Sequence, residues 1–262
     1  MANVSSHMDL SPALPRVRHI GVADIRDALR KGLDDFRALP SEAIFVSVLY
    51  PIVGLLLGRL MTSGDALPLL YPFVTGFALI GPFAAVGLYE LSRRRELGLD
   101  SSWHHAFDVF RSPAKWSILG LGVLLAVIFL FWLGAAETIY AKTLGDTPLI
   151  SMQTFFHTIL STPKGWTLIA VGNAVGFLFA VLVLTISVVS FPLVVDKGVS
   201  PAVAMVTSVR AVLANPLIMA LWGIIVAVSL ALGSIPFLFG LAVVLPVLGH
   251  ATWHLYRKVV EG

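Results

Sequence analysis

Six stretches of this chain are apolar over about 20 residues each, the length a helix needs to cross a hydrocarbon core of about 30 Å. They run approximately Ala43 to Met61, Pro68 to Leu91, Trp116 to Ala136, Trp166 to Phe191, Leu217 to Gly233 and Pro236 to Tyr256. A bilayer core offers no water to backbone N–H and C=O groups, so only helices and closed barrels can span it. Barrel strands alternate apolar and polar residues, whereas the stretch from Leu119 to Leu133 is apolar on every side. The expected fold is therefore all-α: a polytopic membrane bundle of about six transmembrane helices, joined by short interfacial amphipathic helices. A flexible tail at residues 1–20 precedes one membrane domain at 21–262, and Gly233 to Pro236 close a tight hairpin between the last two spans.

Composition agrees with a lipid environment. Only 13% of residues are charged and 57% are hydrophobic, against roughly 25% charged in soluble domains. The absence of cysteine excludes disulfides, thiolate catalysis and cysteine-held metal clusters. The first twenty residues contain no apolar core of a cleavable signal peptide, so the first span is expected to act as the insertion signal. A net charge of +3 does not point to nucleic acid, because the basic residues sit at helix ends on one side. Of the 18 Lys and Arg, 15 fall before span one, between spans two and three, between four and five, and after six; Arg59, Lys142 and Lys164 fall opposite. Positive residues near span ends stay in the cytoplasm, which places both termini there, in a bacterial inner membrane.

A local pattern recurs: a short helical stretch, a proline, then a span. Ile25, Leu29, Leu33, Phe36 and Leu39 form an apolar stripe over about 24–39 that ends before Pro40. Trp103, Phe107 and Phe110 precede Pro113 and Trp116; Phe155, Phe156, Ile159 and Leu160 precede Pro163 and Trp166. Val203, Val206, Val209, Val212 and Leu213 precede Pro216 and Trp222. Such helices suit the headgroup plane, with Trp103, Trp116, Trp166 and Trp253, and the triplet Arg93, Arg94, Arg95, as interfacial anchors.

Ionisable residues at membrane depth are functional candidates, and few are present. Glu90 and Glu137 lie near span ends, within reach of the interface. His250 and His254 share one face of span six and are weak candidates for a haem or metal, but the intervening Ala251, Thr252 and Trp253 supply neither a further ligand nor a base. No cofactor or metal is expected. Gly54 with Gly58, and Gly172 with Gly176, allow close helix approach within the bundle or against a partner, with Asn173 beside the second pair bonding across helices. Pro51, Pro72, Pro82 and Pro246 interrupt spans and free backbone carbonyls.

Four strings read together are distinctive: Leu33-Asp34-Asp35-Phe36, Gly87-Leu88-Tyr89-Glu90-Leu91-Ser92-Arg93-Arg94, Phe191-Pro192-Leu193-Val194-Val195-Asp196, and Gly249-His250-Ala251-Thr252-Trp253-His254-Leu255-Tyr256-Arg257. Over roughly Asp24 to Lys258 they resemble a bacterial family of multi-pass integral membrane proteins of unknown function, whose members are often labelled putative cytochrome c oxidase subunits. This chain lacks the histidines on several helices that two haems and copper require. The resemblance therefore implies an accessory or assembly role and carries over no catalytic residue. The expected function is a non-enzymatic accessory, assembly or scaffold component of a larger membrane complex, with a membrane-protein partner or a second copy of the chain. A small-molecule or lipid transporter is the first alternative, and a haem- or metal-binding redox protein the second.

Overall fold

The computed structural model describes residues 14–39, 67–145, 152–235 and 239–261. The expected first span, with Gly54 and Gly58, lies outside the described residues. Those that are described form ten α-helices and one 3₁₀ helix and contain no strand, beyond a single bridge between Val17 and Val260. The helices are α1 (Val22–Ala38), α2 (Leu67–Ala84), α3 (Val86–Glu96), α4 (Lys115–Thr143), α5 (Met152–Ser161), α6 (Pro163–Ser187), α7 (Ser190–Lys197), α8 (Pro201–Ala214), α9 (Pro216–Ser234) and α10 (Leu241–Val259). The 3₁₀ helix, Trp103–Phe110, lies between α3 and α4.

Among the described residues, three helical stretches are long and apolar enough to cross a membrane: α4, α6 running into α7, and α9. The 29 residues of α4 reach about 43 Å at 1.5 Å per residue, enough for the hydrocarbon and both interfaces. Phenylalanine, leucine and isoleucine side chains such as Phe131, Phe177, Leu217 and Ile224 face outward. A soluble protein would have to cover them; lipid has no reason to. The expected second span is broken instead of continuous. Pro72 and Pro82 lie inside α2, and the chain turns at Ala85 before α3.

Helix starts follow local chemistry. Thr162 caps α6, its Oγ1 accepting from Gly165 N at 3.0 Å, and Pro163 occupies the first turn, where its missing N–H costs nothing. Ser200 and Pro201 repeat the arrangement at α8. Gly198 adopts φ +63 just past α7, the left-handed stop that glycine takes most easily. The helix–proline–helix pattern read from sequence thus appears as α5 to α6 and α8 to α9, each joined through one residue, Thr162 or Asn215.

Within the bundle, Trp132 of α4 is set between two glycines. A Cβ on Gly76 would sit 2.5 Å from its ring, and one on Gly176 3.1 Å away; its Nε1 donates to Pro72 O at 2.7 Å. Gly172 has nothing within 4 Å among the described residues. Of the second glycine pair, Gly176 therefore packs on Trp132, while a Cβ on Gly172 meets no described residue.

Residues 14–20, read as tail, run beside the C-terminus: Arg18 N donates to Val259 O at 2.8 Å and Glu261 N to Arg16 O at 3.1 Å. Asn215 fastens them to the α8–α9 corner, accepting from Ile20 N and donating to Arg18 O, both at 2.9 Å. The helix α1 packs on α10 through a buried face of Ile25, Ala28, Gly32 and Asp35, with Leu29, Leu33 and Phe36 of the expected stripe half-buried and Leu39 buried.

Candidate functional site

The seam between α1 and α10 has no space at its centre, since a Cβ on Gly32 would lie 2.6 Å from the backbone N of Ala251. That approach carries Asp35 over His250 and His254, which a four-residue spacing sets one above the other on α10. From the third side, α3 packs on α10 through Gly249 and Leu88, which brings up Ser92 and Arg95. Three elements distant in sequence thus converge on one carboxylate, which is only 3% exposed.

Every part of this cluster is engaged. Ser92 Oγ donates to Asp35 Oδ2 at 2.5 Å, His254 Nε2 meets the same oxygen at 2.8 Å, and Arg95 Nη1 pairs with Oδ1. Since the single hydroxyl proton of Ser92 goes to Asp35, His250 Nδ1, 2.8 Å from the same Oγ, carries a hydrogen and donates it to Ser92. Burial alone would raise the Asp35 pKa. The hydrogen bonds from His254, Ser92 and Arg95, together with the charge of His254, outweigh it and hold the carboxyl below its ordinary range.

A second layer ties in α7. Tyr256 OH donates to Asp196 Oδ2 at 2.6 Å, and Arg257 bridges Asp196 at 3.3 Å and Glu96 at 3.2 Å. Trp253 Nε1 donates to Glu96 Oε2 at 3.0 Å, while Lys258 reaches Asp27 at 2.9 Å. A crevice of about 390 Å³ opens beside the cluster, lined by Lys31, Asp34, Asp35, Arg95, Glu96 and His254.

Comparison with known families then bears on these residues. Residues 70–196 match the DUF2189 family, described as predicted integral membrane protein. This is the kind of family that the four sequence strings resembled, and the description carries no oxidase assignment. Neither a curated protein nor a solved structure matches the chain. The DUF2189 segment spans α2 to α7 and contributes Ser92, Arg95, Glu96 and Asp196 to the cluster; α1 and α10, outside it, contribute Asp35 and the histidines.

The other candidates distribute as follows. Next to Ser92 and Arg95, Arg93 makes a two-pronged pair with Glu90 at 2.8 and 2.9 Å, and Arg94 lies 3.7 Å from Glu90 and 3.6 Å from Asp108. These arginines pair with carboxylates of the chain itself, Arg95 included. Trp103, Trp116 and Trp166 are exposed, as anchors must be, Trp116 at 71%. Trp253 is 1% exposed and its Nε1 donates to Glu96 at the end of α3, so this tryptophan, expected at an aromatic belt, is turned inward. Asn173 Nδ2 donates to Ile169 O of its own helix at 2.8 Å. His250 and His254 do share a face as expected, but they serve Ser92 and Asp35.

Asp35 and Ser92 were not singled out by sequence reasoning. Asp35 falls among the charges of α1 and reads as part of its wet face; the signal that marks it is the small residue one turn before, Gly32, in line with Ala28. A third polar group, in the loop after α3, was likewise passed over: His105 Nδ1 is 2.6 Å from Asp108 Oδ2 and its Nε2 is 3.0 Å from Asp100 Oδ2. Asp108, then Asp100, favour its charged form, and Ser102 draws the Asp100 pKa down to about 2.

Proposed function

We propose that this chain is a non-enzymatic multi-pass component of a bacterial inner membrane, serving as an accessory, assembly or scaffold subunit of a larger membrane complex. The observation that supports this reading is the engaged state of the Asp35 cluster. Ser92 stands between a carboxylate and an imidazole, but it is 1% exposed and its proton is committed to Asp35. An acyl-transfer nucleophile must instead reach substrate and give its proton to a base. His250 and His254 spend nitrogens on Ser92 and Asp35, which weighs against an axial role for them. The cluster is built as a clasp that joins α1, α3 and α10.

Orientation follows from the same contact. Because α1 packs on the second half of α10, residues 14–38 and 248–261 share one end of the bundle, and chain ends on one side require an even number of crossings. That end holds Arg93 to Arg95, Arg257 and Lys258, so the positive-inside tendency assigns it to the cytoplasm.

The test is recovery of the tagged protein from native membranes in mild detergent, with mass spectrometry of proteins and lipids. Stoichiometric membrane-protein partners are expected. Recovery of the chain alone with one specific lipid or small molecule would overturn the reading in favour of transport or lipid handling.

A further inference from the structure

The loop between α3 and α4 carries a second arrangement, independent of the clasp. We propose that Asp100, His104 and His105 bind one divalent transition-metal ion of the zinc class, with Asp108 orienting the ligand His105. One donor atom from each of the three residues lies within 4.8 Å of the others. Two imidazoles and a carboxylate are the donor set that zinc prefers when an open fourth position is left to water.

The backbone sets this geometry without help from an ion. Past α3 the chain reverses at Gly98, whose φ of +68 is left-handed, and Leu99 N returns to Arg94 O at 2.8 Å. Arg94 Nε then donates to the backbone O of Asp100. Ser102 holds the other end, its N and Oγ donating to Asp100 Oδ1 at 3.0 and 2.6 Å. With Oδ1 engaged, Oδ2 faces His105 Nε2 across 3.0 Å. Two ligands about 2.0–2.1 Å from one ion stand about 2.9–3.4 Å apart at angles from square to tetrahedral, so the pair already has the required bite. The rings of His104 and His105 lie 4.2 Å apart, centroid to centroid.

Asp108 completes the arrangement. Its Oδ2 accepts from His105 Nδ1 at 2.6 Å, which fixes the ring and directs Nε2 at Asp100, the carboxylate–histidine–metal relation that tunes zinc sites. Arg94 approaches the same Oδ2 at 3.6 Å and Arg111 the other oxygen at 3.5 Å. Asp100 and Asp108 together offset the two charges of the ion. When the metal enters, it takes the place of the proton between Nε2 and Oδ2 and releases it to solvent, so affinity falls on acidification.

Isothermal titration of the full chain in detergent, stripped with chelator and then given Zn²⁺, tests the site, with Co²⁺ and its visible spectrum as a report on ligand type. One saturable equivalent per chain is expected, together with a Co²⁺ band of nitrogen and oxygen ligation. His104→Ala and His105→Ala should each weaken binding at least 10-fold, and Asp108→Asn by about 10–100-fold, while His157→Ala, in α5, leaves it unchanged. Absence of saturable binding by the unmodified protein overturns the proposal, as does equal binding by the folded His104→Ala and His105→Ala variants. The titration of the unmodified protein decides the matter even if a variant fails to fold.

Discussion

Asp35→Ala is expected to lower the unfolding free energy by about 3 kcal/mol, the cost of breaking a buried ionic cluster by removing one partner. The substitution leaves Ser92 and His250, which are 1% and 0% exposed, without the carboxylate that organises them, and releases Arg95 and His254 from α1. Asp35→Asn keeps the volume and one acceptor oxygen, so its loss should be about half as large. Thermal unfolding in detergent followed by tryptophan fluorescence measures both, and Trp253 inside the site makes the signal sensitive to it. The same carboxyl gives a pH dependence of known sign. Its folded pKa lies below the ordinary aspartate value, so its contribution is complete above that ordinary value and disappears as pH falls through the folded one. The Asp35→Ala deficit should accordingly be constant near neutrality and shrink below about pH 4. An Asp35→Ala protein as stable as the parent would show that the clasp contributes nothing.

Gly32→Val is expected to cost about 3 kcal/mol or more, at the upper end for overpacked sites. The reason is geometric: the first added carbon would lie 2.6 Å from the Ala251 backbone N and 2.7 Å from its Cβ, and neither can swing aside. To admit the side chain α1 must separate from α10, and Asp35 goes with it. Limited proteolysis should therefore cut the N-terminal segment in the variant and not in the parent. Gly172→Val is the matched control. With nothing within 4 Å of it among the described residues, it should unfold like the parent; equal behaviour of the two variants would remove the argument from close approach.

Legibility divided along physical lines. Spans such as α4 and α9 were readable because lipid demands about 20 apolar residues in a row, a requirement each segment states alone. Proline at the starts of α6 and α9 was readable for the same reason: first-turn chemistry is local. The clasp was not, because its members lie on α1, α3 and α10, and the only local mark that separates Asp35 from the exposed Asp34 is its alignment with the small residues Ala28 and Gly32. His250 and His254 were noticed for a spacing that suits metal, while their partners stood 158 and 219 residues away in sequence. Trp253 misled through composition, as a tryptophan beside histidine, tyrosine and arginine looks interfacial until Glu96 of α3 is found against it. The resemblance strings did better than any single motif, since all four place residues in or beside the clasp.

The central claim, that both chain ends close together over one side of a membrane bundle, is tested most directly by single-cysteine labelling, for which a chain with no native cysteine gives no background. Cysteines replacing Arg26, Ser102 and Glu261 should react with an impermeant reagent from one side of sealed vesicles, and those replacing Lys142 and Ser161 from the other. Labelling of Arg26→Cys and Glu261→Cys from opposite sides would contradict the account.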